Sequence, residues 1–480
     1  MFRLDAGPAI GGGHAVRCIA LAEALKARGW HCTFVVAERG VETVRRLAPG
    51  YEVLALPEAA ALDPAGLMRA SPGCDLLIVD HYGWWAAQEH ACRGWARRIL
   101  VIDDLCDRAH DCDLLLDVSL GRTRADYAVH VAPACKVLTG PGYALLRPQF
   151  ARQRLSAQRP PAKAVVERVF VSFGLSDASN FSQHALEALR AVPFDGKVDL
   201  VLGRDAPHLA QVQAEVRRAQ VKLHQEPDHM ASLMAAADFA IGAGGGSAWE
   251  RCCLGLPSLV ISAAPNQDRN ARTLAARGAC ELAQDGDFAV VLARLLRDPQ
   301  RLAQMALSAA AVTDGRGAPR VALALDPELT PKGGVVTLRR LTLDDFEPTY
   351  EWQCHPETRQ HARNPAVPSR EEHRAWIARE LADPGSVANI IEHDGALAGV
   401  VRLNRKADAK AYEVSINVAP ELHGRGIATA ALAALRRLAP EVAFMAHVLA
   451  DNATSHALFI KAGYTLDGDV YVSRPSADPH

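Results

Sequence analysis

Three stretches of this chain hold residues whose types and spacing suit chemistry. In the first, AIGGGHAVRC at residues 9–18, three glycines stand directly before His14. An imidazole titrates near neutral pH and can take a proton from water. Glycines such as Gly12 and Gly13 admit positive φ and let a ligand approach the backbone with no Cβ in the way. A histidine that only opens a helix with its ring satisfied gives the same pattern. In the second, AIGAGGGSAWE, the run at residues 242–246 holds Gly244 and Gly245 among four glycines, with Ser247 and Glu250 close behind. That exceeds what a helix cap needs; it bares backbone donors to a diphosphate, and a nearby carboxylate can hold a ribose diol. Ser247 and Glu250 also have the S-x-x-E spacing of a capping box. Asn266 and Gln267 follow the next apolar run and face the same crevice, although loop amides are also commonly solvated. In the third, SINVAPELHGRGIATAAL, backbone N–H groups of Gly424, Arg425, Gly426, Ile427 and Ala428 can meet a pyrophosphate at a helix start. Glu413, on the strand before, can take a proton directly or through water; a solvated strand carboxylate is the alternative.

These residues need a frame. Cys18, Leu21, Ala22 and Leu25 recur at i, i+3, i+4 and i+7, predicting a helix after the first glycines, with Glu23 on its other face and Gly29 ending it. His14 then stands beyond the carboxyl end of the first strand, where open α/β sheets bind ligands. The continuous apolar runs CTFVVA, DLLIVD, RILVIDD and DLLLD alternate with helical patterns and predict a parallel sheet covered on both faces. RQRLSAQRPPAKA interrupts them, and RVFVSFG, KVDLVLG, ADFAIGAGGG and LPSLVIS restart the alternation. Residues 326–334, DPELTPKGG, read as a turn-rich linker. The expected fold is α/β: two Rossmann-like domains at 1–155 and 162–325, then an α+β domain at 335–480.

Composition narrows the function. Among 480 residues, 53 Lys and Arg oppose 55 Asp and Glu, so a net charge of -2 offers no general attraction to nucleic acid or anionic lipid. Small-molecule partners are expected. The eleven cysteines have no paired metal-ligand spacing and read as reduced thiols of a cytoplasmic protein. The N-terminus has no apolar leader core, and no apolar run approaches the roughly 20 residues of a membrane helix. Asp103 and Asp104 could suggest Mg²⁺; a turn cap and ion pair with Arg108 is the preferred reading, and no metal is assigned.

The ordered set RLDAGPAIGGGHAVRC, VDHYGWW, VIDDLCDRAHDCDLLL, GPGYALLRPQF, VSFGLSDASN and MASLMAAADFAIGAGGGSAWERCCLGLPSLVISAAPNQ resembles the UDP-sugar hydrolases of bacterial pseudaminic acid biosynthesis, the pathway of flagellin glycosylation. The resemblance spans nearly all of residues 1–325. That family is similar to GT-B glycosyltransferases, which hold the nucleotide mainly in the second Rossmann-like domain. It implies hydrolysis of UDP-2,4-diacetamido-2,4,6-trideoxy-β-L-altropyranose by water at the anomeric carbon, with inversion and without a metal. By motif match His14 is the general base, Asp5 and Arg17 flank it, and Tyr82 touches sugar or water. Gly12, Gly13, Asn180, Gly244, Gly245, Ser247, Glu250, Asn266 and Gln267 are the implied substrate contacts. Two departures stand out: Leu175 replaces a glycine the family repeats, and the first strand is short, as if residues before Met1 were missing.

Residues 336–473 resemble the GNAT acetyltransferases, whose loop pattern Q/R-x-x-G-x-G/A is matched by His423, Gly426 and Ala428 apart from its first position. Asn452, Ser455, Lys461, Gly463 and Tyr464 follow at the family's offsets. Acetyl-CoA is the implied co-substrate, held at Val418, His423, residues 424–428 and Asn452. Glu413 is the implied base. Phe459 stands where many relatives carry a tyrosine acid, and a phenyl ring cannot donate a proton. Acetylation of the 4-amino group precedes hydrolysis in the pathway implied, so the fusion joins consecutive steps. The competing expectation is a GT-B glycosyltransferase carrying a non-catalytic GNAT-like sensor.

Overall fold

The structure is a computed structural model describing residues 1–7, 12–156, 165–216, 220–284, 286–405 and 411–475. By contact it divides into two compact units, residues 1–153 with 157–318, and residues 154–156 with 319–480. Most of the interrupting segment RQRLSAQRPPAKA lies outside the described residues.

The first unit contains two parallel sheets. The N-terminal lobe takes β1 (Phe2–Leu4), β2 (Thr33–Ala37), β3 (Glu52–Leu56), β4 (Leu77–Asp80), β5 (Ile99–Ile102), β6 (Leu114–Asp117) and β7 (Lys136–Thr139) in the order β3-β2-β1-β4-β5-β6-β7. Every pairing is parallel. β1, β2, β4, β5 and β6 are buried at each residue. Helices covering both faces explain why these strands read as unbroken apolar runs. The chain order changes direction between β1 and β4, and such switch points open a crevice beyond the strand ends. The helix Gly13–Lys26 follows β1, and the turn holding Tyr82 follows β4.

The second lobe repeats this plan with β8 (Arg168–Ser172), β9 (Lys197–Leu202), β10 (Val221–Gln225), β11 (Phe239–Ala243), β12 (Ser258–Ile261) and β13 (Glu281–Leu282), ordered β10-β9-β8-β11-β12-β13 and parallel throughout. Its switch point lies between β8 and β11, and the glycine-rich turn leaves β11 there. Apolar residues including Phe170, Met234 and Trp249 pack one face, and Val171, Leu200, Ile241 and Met305 the other. The helix Gly317–Leu325 starts hard against the backbone of Tyr143 and Ala144, with no space for a Cβ on Gly317.

The second unit is a mixed sheet of β14 (Glu328–Leu329), β15 (Val335–Arg340), β16 (Ser386–His393), β17 (Ala396–Arg405), β18 (Ala411–Val418), β19 (Ala443–His447), β20 (Thr465–Asp467) and β21 (Val470–Ser473), ordered β14-β15-β16-β17-β18-β19-β21-β20. Pairing is antiparallel except between β18 and β19. The helix Ile427–Leu438 buries Ala431, Leu435 and Leu438 against Val401, Leu403 and Phe444. Residues 326–334 are not the free linker expected from their composition. Glu328 and Leu329 pair with Val336 and Val335, and Thr330 N–H donates to the Gly334 carbonyl at 2.8 Å, making a hairpin edge of this sheet. A two-residue edge strand is too short to show an alternating pattern. Buried Arg320 donates twice to Asn389 Oδ1 on β16, at 3.0 and 2.7 Å, tying the end of the preceding helix to the same unit. Among the described residues no helix is long and apolar enough to cross a membrane.

Gly317→Ala is expected to destabilise the first unit by about 1–3 kcal/mol, as overpacking does when the obstructing atoms are backbone. Urea unfolding of the full chain, followed by tryptophan fluorescence, measures the shift.

Candidate functional site

The first site is built on a buried carboxylate. Asp80 ends β4 and is wholly inaccessible to solvent. Its Oδ1 accepts from His14 Nδ1 at 2.6 Å and Arg17 Nη2 at 2.5 Å, and its Oδ2 accepts from Arg17 Nε at 2.6 Å. Arg17 Nη1 also reaches Asp104 at 3.0 Å. Burial opposes charge on Asp80, but Arg17 and His14 outweigh it and hold the carboxyl well below its ordinary range. The Arg17 guanidinium, half-buried, is held charged mainly by Asp80 and Asp104. With Nδ1 donating to Asp80, the imidazole lone pair falls on Nε2. His14, second in its helix, lines a cleft of about 1090 Å³ together with Gly12, Gly13, Arg17, Tyr82 and Asp104.

Tyr82 stands edge-on to His14, ring centroids 4.9 Å apart at 79°. Its hydroxyl donates to Asp104 at 3.4 Å and accepts from Asn266 Nδ2 of the other lobe at 3.0 Å. Burial and then Asp104 push its ionisation well up, so it serves as a neutral hydroxyl. Behind it, His81 Nδ1 accepts the Gly83 N–H at 2.9 Å. Burial and then Arg3 push the His81 imidazole down to about 4.

Facing this arrangement, the helix Gly246–Cys253 begins with Gly245 as N-cap and no side-chain cap. Gly245, Gly246, Ser247, Glu250, Asn266 and Gln267 line the cleft. Burial raises the Glu250 carboxyl, against Arg147 and Arg251. The uncapped helix start and a carboxylate one turn in suit a diphosphate and a diol.

The second site lies on the sheet of the second unit. β18 pairs with β19 only over residues 411–413, so beyond Glu413 the strand continues to Val418 beside β17 alone. Glu413 is buried and ion-paired with exposed Arg363. Gly424 and Gly426 take φ of +74° and +83°, a region that favours glycine, and Gly426 caps the helix Ile427–Leu438 without a side-chain bond. His423 Nε2 lies 3.0 Å from the Val418 carbonyl, so that imidazole nitrogen is the donor.

Residues 169–319 match the glycosyltransferase family 28 C-terminal domain, and residues 336–465 match the GNAT acetyltransferase domain. The chain joins a GT-B-like nucleotide-sugar region to a GNAT acetyltransferase fold. The GT-B-like region is 28% identical over 329 residues to the spore coat polysaccharide biosynthesis protein SpsG of Bacillus subtilis, covering 66% of this chain and 94% of that protein. It is 25% identical over 283 residues to the UDP-2,4-diacetamido-2,4,6-trideoxy-beta-L-altropyranose hydrolase of Campylobacter jejuni, covering 58% and 96%. It is also 28% identical over 349 residues to the UDP-N-acetylglucosamine--N-acetylmuramyl-(pentapeptide) pyrophosphoryl-undecaprenol N-acetylglucosamine transferase of Phenylobacterium zucineum, covering 65% and 94%.

The structure places the expected residues of the GT-B-like region as follows. Asp5 does not line the cleft: it pairs with Arg39 at 3.2 Å and lies 3.6 Å from His81. Asn180 does not line it either, although its N–H donates to Asp177, which does; it takes a left-handed conformation before the helix Phe181–Ala191, its Nδ2 donating to Gln183 and Gln211. Gly244 packs on Ala271 and gives its N–H to Gln267 Oε1 at 3.1 Å, so both residues shape the turn. Ser247 is no N-cap; it lies inside its helix, accepting from Arg251 at 3.2 Å, and the S-x-x-E spacing makes no capping box. Glu23, expected to face away, lines the cleft. Gly12, with φ of -100°, needs no left-handed backbone; the need is space, because a Cβ there would collide with a Leu175 methyl. Gly11 and residues 8–10 lie outside the described residues.

In the GNAT domain, the Val418 and Ile427 side chains belong to the core, so these two positions can offer only backbone groups, whereas Arg425 in the same loop is exposed. Asn452 Oδ1 caps the helix Ala453–Lys461 through Ser455 N–H at 3.0 Å. Phe459 is buried against Tyr464 and Tyr471. Asp103 accepts the Cys106 N–H at 2.8 Å and pairs with Arg108 at 3.2 Å, a turn and ion-pair role as read from the sequence. Among the described residues no group of three His, Cys, Asp or Glu is placed to hold a metal.

Sequence reasoning missed Asp80 and Arg147, the latter lining the cleft near Glu250, and read Asp104 with Asp103 as a cap and ion pair rather than as a partner of Arg17 and Tyr82. Asp80 had a signal: it closes the run DLLIVD directly before His81 and Tyr82, at the carboxyl end of a central strand.

His81 titrates near 4 in the folded chain against 6.5 ordinarily, so the unfolded chain binds the extra proton between those values. The contribution of His81 to stability is therefore whole above pH 6.5 and declines as pH falls toward 4. His81→Asn keeps an acceptor for Gly83 and is expected to flatten that slope, which urea midpoints at several pH values will measure.

Proposed function

We propose a bifunctional enzyme that first acetylates the 4-amino group of a UDP-amino sugar and then hydrolyses UDP-2,4-diacetamido-2,4,6-trideoxy-β-L-altropyranose to the free sugar and UDP. The observation that carries the hydrolytic reading is the His14–Asp80 pair. It orients an imidazole at the cleft with Nε2 as acceptor, opposite an uncapped glycine turn suited to a diphosphate. In this reading His14 Nε2 takes a proton from water as its oxygen attacks the anomeric carbon, and UDP departs with the bonding electrons toward the N–H groups of Gly246 and Ser247. Glu250 holds the ribose diol. Tyr82 and Asn266 orient the sugar or water between the lobes. Base and leaving group on opposite faces of the sugar are what inversion demands. Similarity to the Campylobacter hydrolase supports the substrate.

In the GNAT domain, the two left-handed glycines and the uncapped helix start suit a pyrophosphate, so the backbone of residues 424–428 would hold acetyl-CoA. Acetyl-CoA supplies an activated acyl group when bound. Glu413, at the end of the short parallel ladder, accepts the proton of the attacking amine directly or through water. The eleven free cysteines fit a reducing, cytoplasmic setting.

A transferase is the second reading. A cleft of about 1090 Å³ lies just above the usual range for small-molecule sites, about 300–1,000 Å³, and the Phenylobacterium relative is a transferase by name.

The deciding experiment supplies the 4-amino UDP-sugar with acetyl-CoA and follows CoA, UDP and free sugar by mass spectrometry. CoA is expected to appear before UDP, and UDP released without acetylation would break the proposed order. Absence of CoA turnover would make the GNAT domain a sensor. His14→Ala is expected to keep UDP affinity by calorimetry while hydrolysis falls about 10²–10⁴-fold, the usual contribution of a positioned base. Asp80→Asn is expected to lower hydrolysis too and to cost about 1–3 kcal/mol of stability, because the buried hydrogen bonds from His14 and Arg17 lose a charged acceptor while Arg17 keeps Asp104.

A further inference from the structure

A buried guanidinium lies behind the glycine turn of the second lobe, and neither proposed reaction uses it. Arg251, in the last turn of the helix Gly246–Cys253, is 2% exposed. Helical side chains lean toward the helix N-terminus, and this one is long enough to reach back past the first turn. Its Nη1 donates to Ser247 Oγ at 3.2 Å, and its Nη2 to the Ala243 carbonyl at the end of β11 at 2.6 Å. Gly242 makes room for it, since a Cβ there would stand 2.9 Å from Nη1. Its Nε is buried without a partner, and among the described residues no carboxylate pairs with it.

This placement is unfavourable in two ways. A buried cation without a counter-charge loses its hydration and gains no attraction in return. Burial accordingly pushes the guanidinium down, and Cys252, Cys280 and Glu250 oppose that only in part. The charge also sits at the helix N-terminus, the positive end of the macrodipole, where a cation is repelled. An anion at the start of this helix relieves both. Ser247 connects the charge to that place: it lines the cleft beside Gly245 and Gly246, its Oγ accepts from Arg251, and among the described residues its own proton has no acceptor. With Arg251 on the oxygen, the hydroxyl is left to act as a donor.

We propose that Arg251 is a positioning residue for the leaving group: it fixes Ser247 as a hydroxyl donor and supplies the buried positive charge that a diphosphate at the glycine turn neutralises. This rests on the reading of that turn as the UDP site and names what selects the diphosphate there. In the hydrolysis the water oxygen bonds to the anomeric carbon and its proton goes to His14. The bond from that carbon to UDP breaks with its electron pair on the UDP oxygen. Negative charge grows on the departing phosphate in this step, and the Ser247 proton, polarised by the guanidinium behind it, is already in place to meet it.

The test measures UDP and uridine binding by calorimetry on the full chain and on its Arg251→Gln, Arg251→Lys and Ser247→Ala variants. Uridine has the base and ribose without the phosphates, so the ratio of the two affinities reads the diphosphate contacts alone. The unaltered chain is expected to prefer UDP. Arg251→Gln keeps an N–H donor and loses the charge; it should lower that preference at least about tenfold, the low end for a hydrogen bond to a charged group, and leave uridine affinity unchanged. Arg251→Lys, which keeps the charge, should retain the preference. Ser247→Ala should lower it in the unaltered chain and have little further effect beside Arg251→Gln, as coupled residues do. Equal losses for UDP and uridine in Arg251→Gln mark a merely structural residue and overturn the inference. So does an unchanged ratio in Ser247→Ala, whether or not Arg251→Gln folds; both results leave the UDP site standing. If the unaltered chain binds UDP no better than uridine, the diphosphate reading of the turn itself fails and the inference falls with it.

Discussion

The geometry of the first site depends on keeping one carboxylate charged inside the protein. Asp80 has no access to water, and an unpaired charge there would be prohibitive. Arg17 neutralises it through two bonds, Asp104 steadies Arg17, Tyr82 donates to Asp104, and Asn266 from the other lobe donates to Tyr82. One continuous run of polar contacts therefore extends from the end of β4 across the cleft. The orientation of His14 follows from this run, because among the described residues its Nδ1 has Asp80 as acceptor. A buried ion pair of this kind adds little net stability; its value lies in the arrangement it enforces.

That run also explains why the chemistry is divided between two similar lobes. Each sheet reverses its order at one point, and each reversal opens a crevice at the carboxyl ends of its strands. The N-terminal crevice presents an imidazole with a free lone pair; the other presents uncapped N–H groups at the start of the helix Gly246–Cys253. An acceptor for protons and a donor set for anions thus face each other, which suits a displacement with a basic side and a leaving side. The cross-lobe bonds of Arg46 and Asn266 hold the separation between them.

The second unit uses a different device. Its parallel ladder stops at Glu413, so β18 runs beyond its β19 partner toward the loop of Gly424 and Gly426. Left-handed glycines turn the chain sharply into the helix Ile427–Leu438 without a side-chain cap. A carboxylate near the end of the ladder and free backbone donors at the helix start are brought onto one sheet by topology alone. Phe459, packed against Tyr464 and Tyr471, belongs to the core that supports this arrangement.

Much of this was legible in the sequence, for reasons that are local. Strands covered on both faces must be apolar throughout, so the parallel sheets appear as runs; glycine turns before helices and a histidine beside one of them are visible by adjacency. What tertiary structure decided is which polar atoms meet. His14 and Asp80 are 66 positions apart and Tyr82 and Asn266 184, and no local pattern records such pairings. The same cause diverted Asp5 to Arg39, Asn180 to Gln183 and Gly244 to Gln267, and turned a proline-bearing linker into an edge strand. A residue's type and neighbours in the chain determine what it can bond; the superposition of strand ends in the folded protein determines what it does bond.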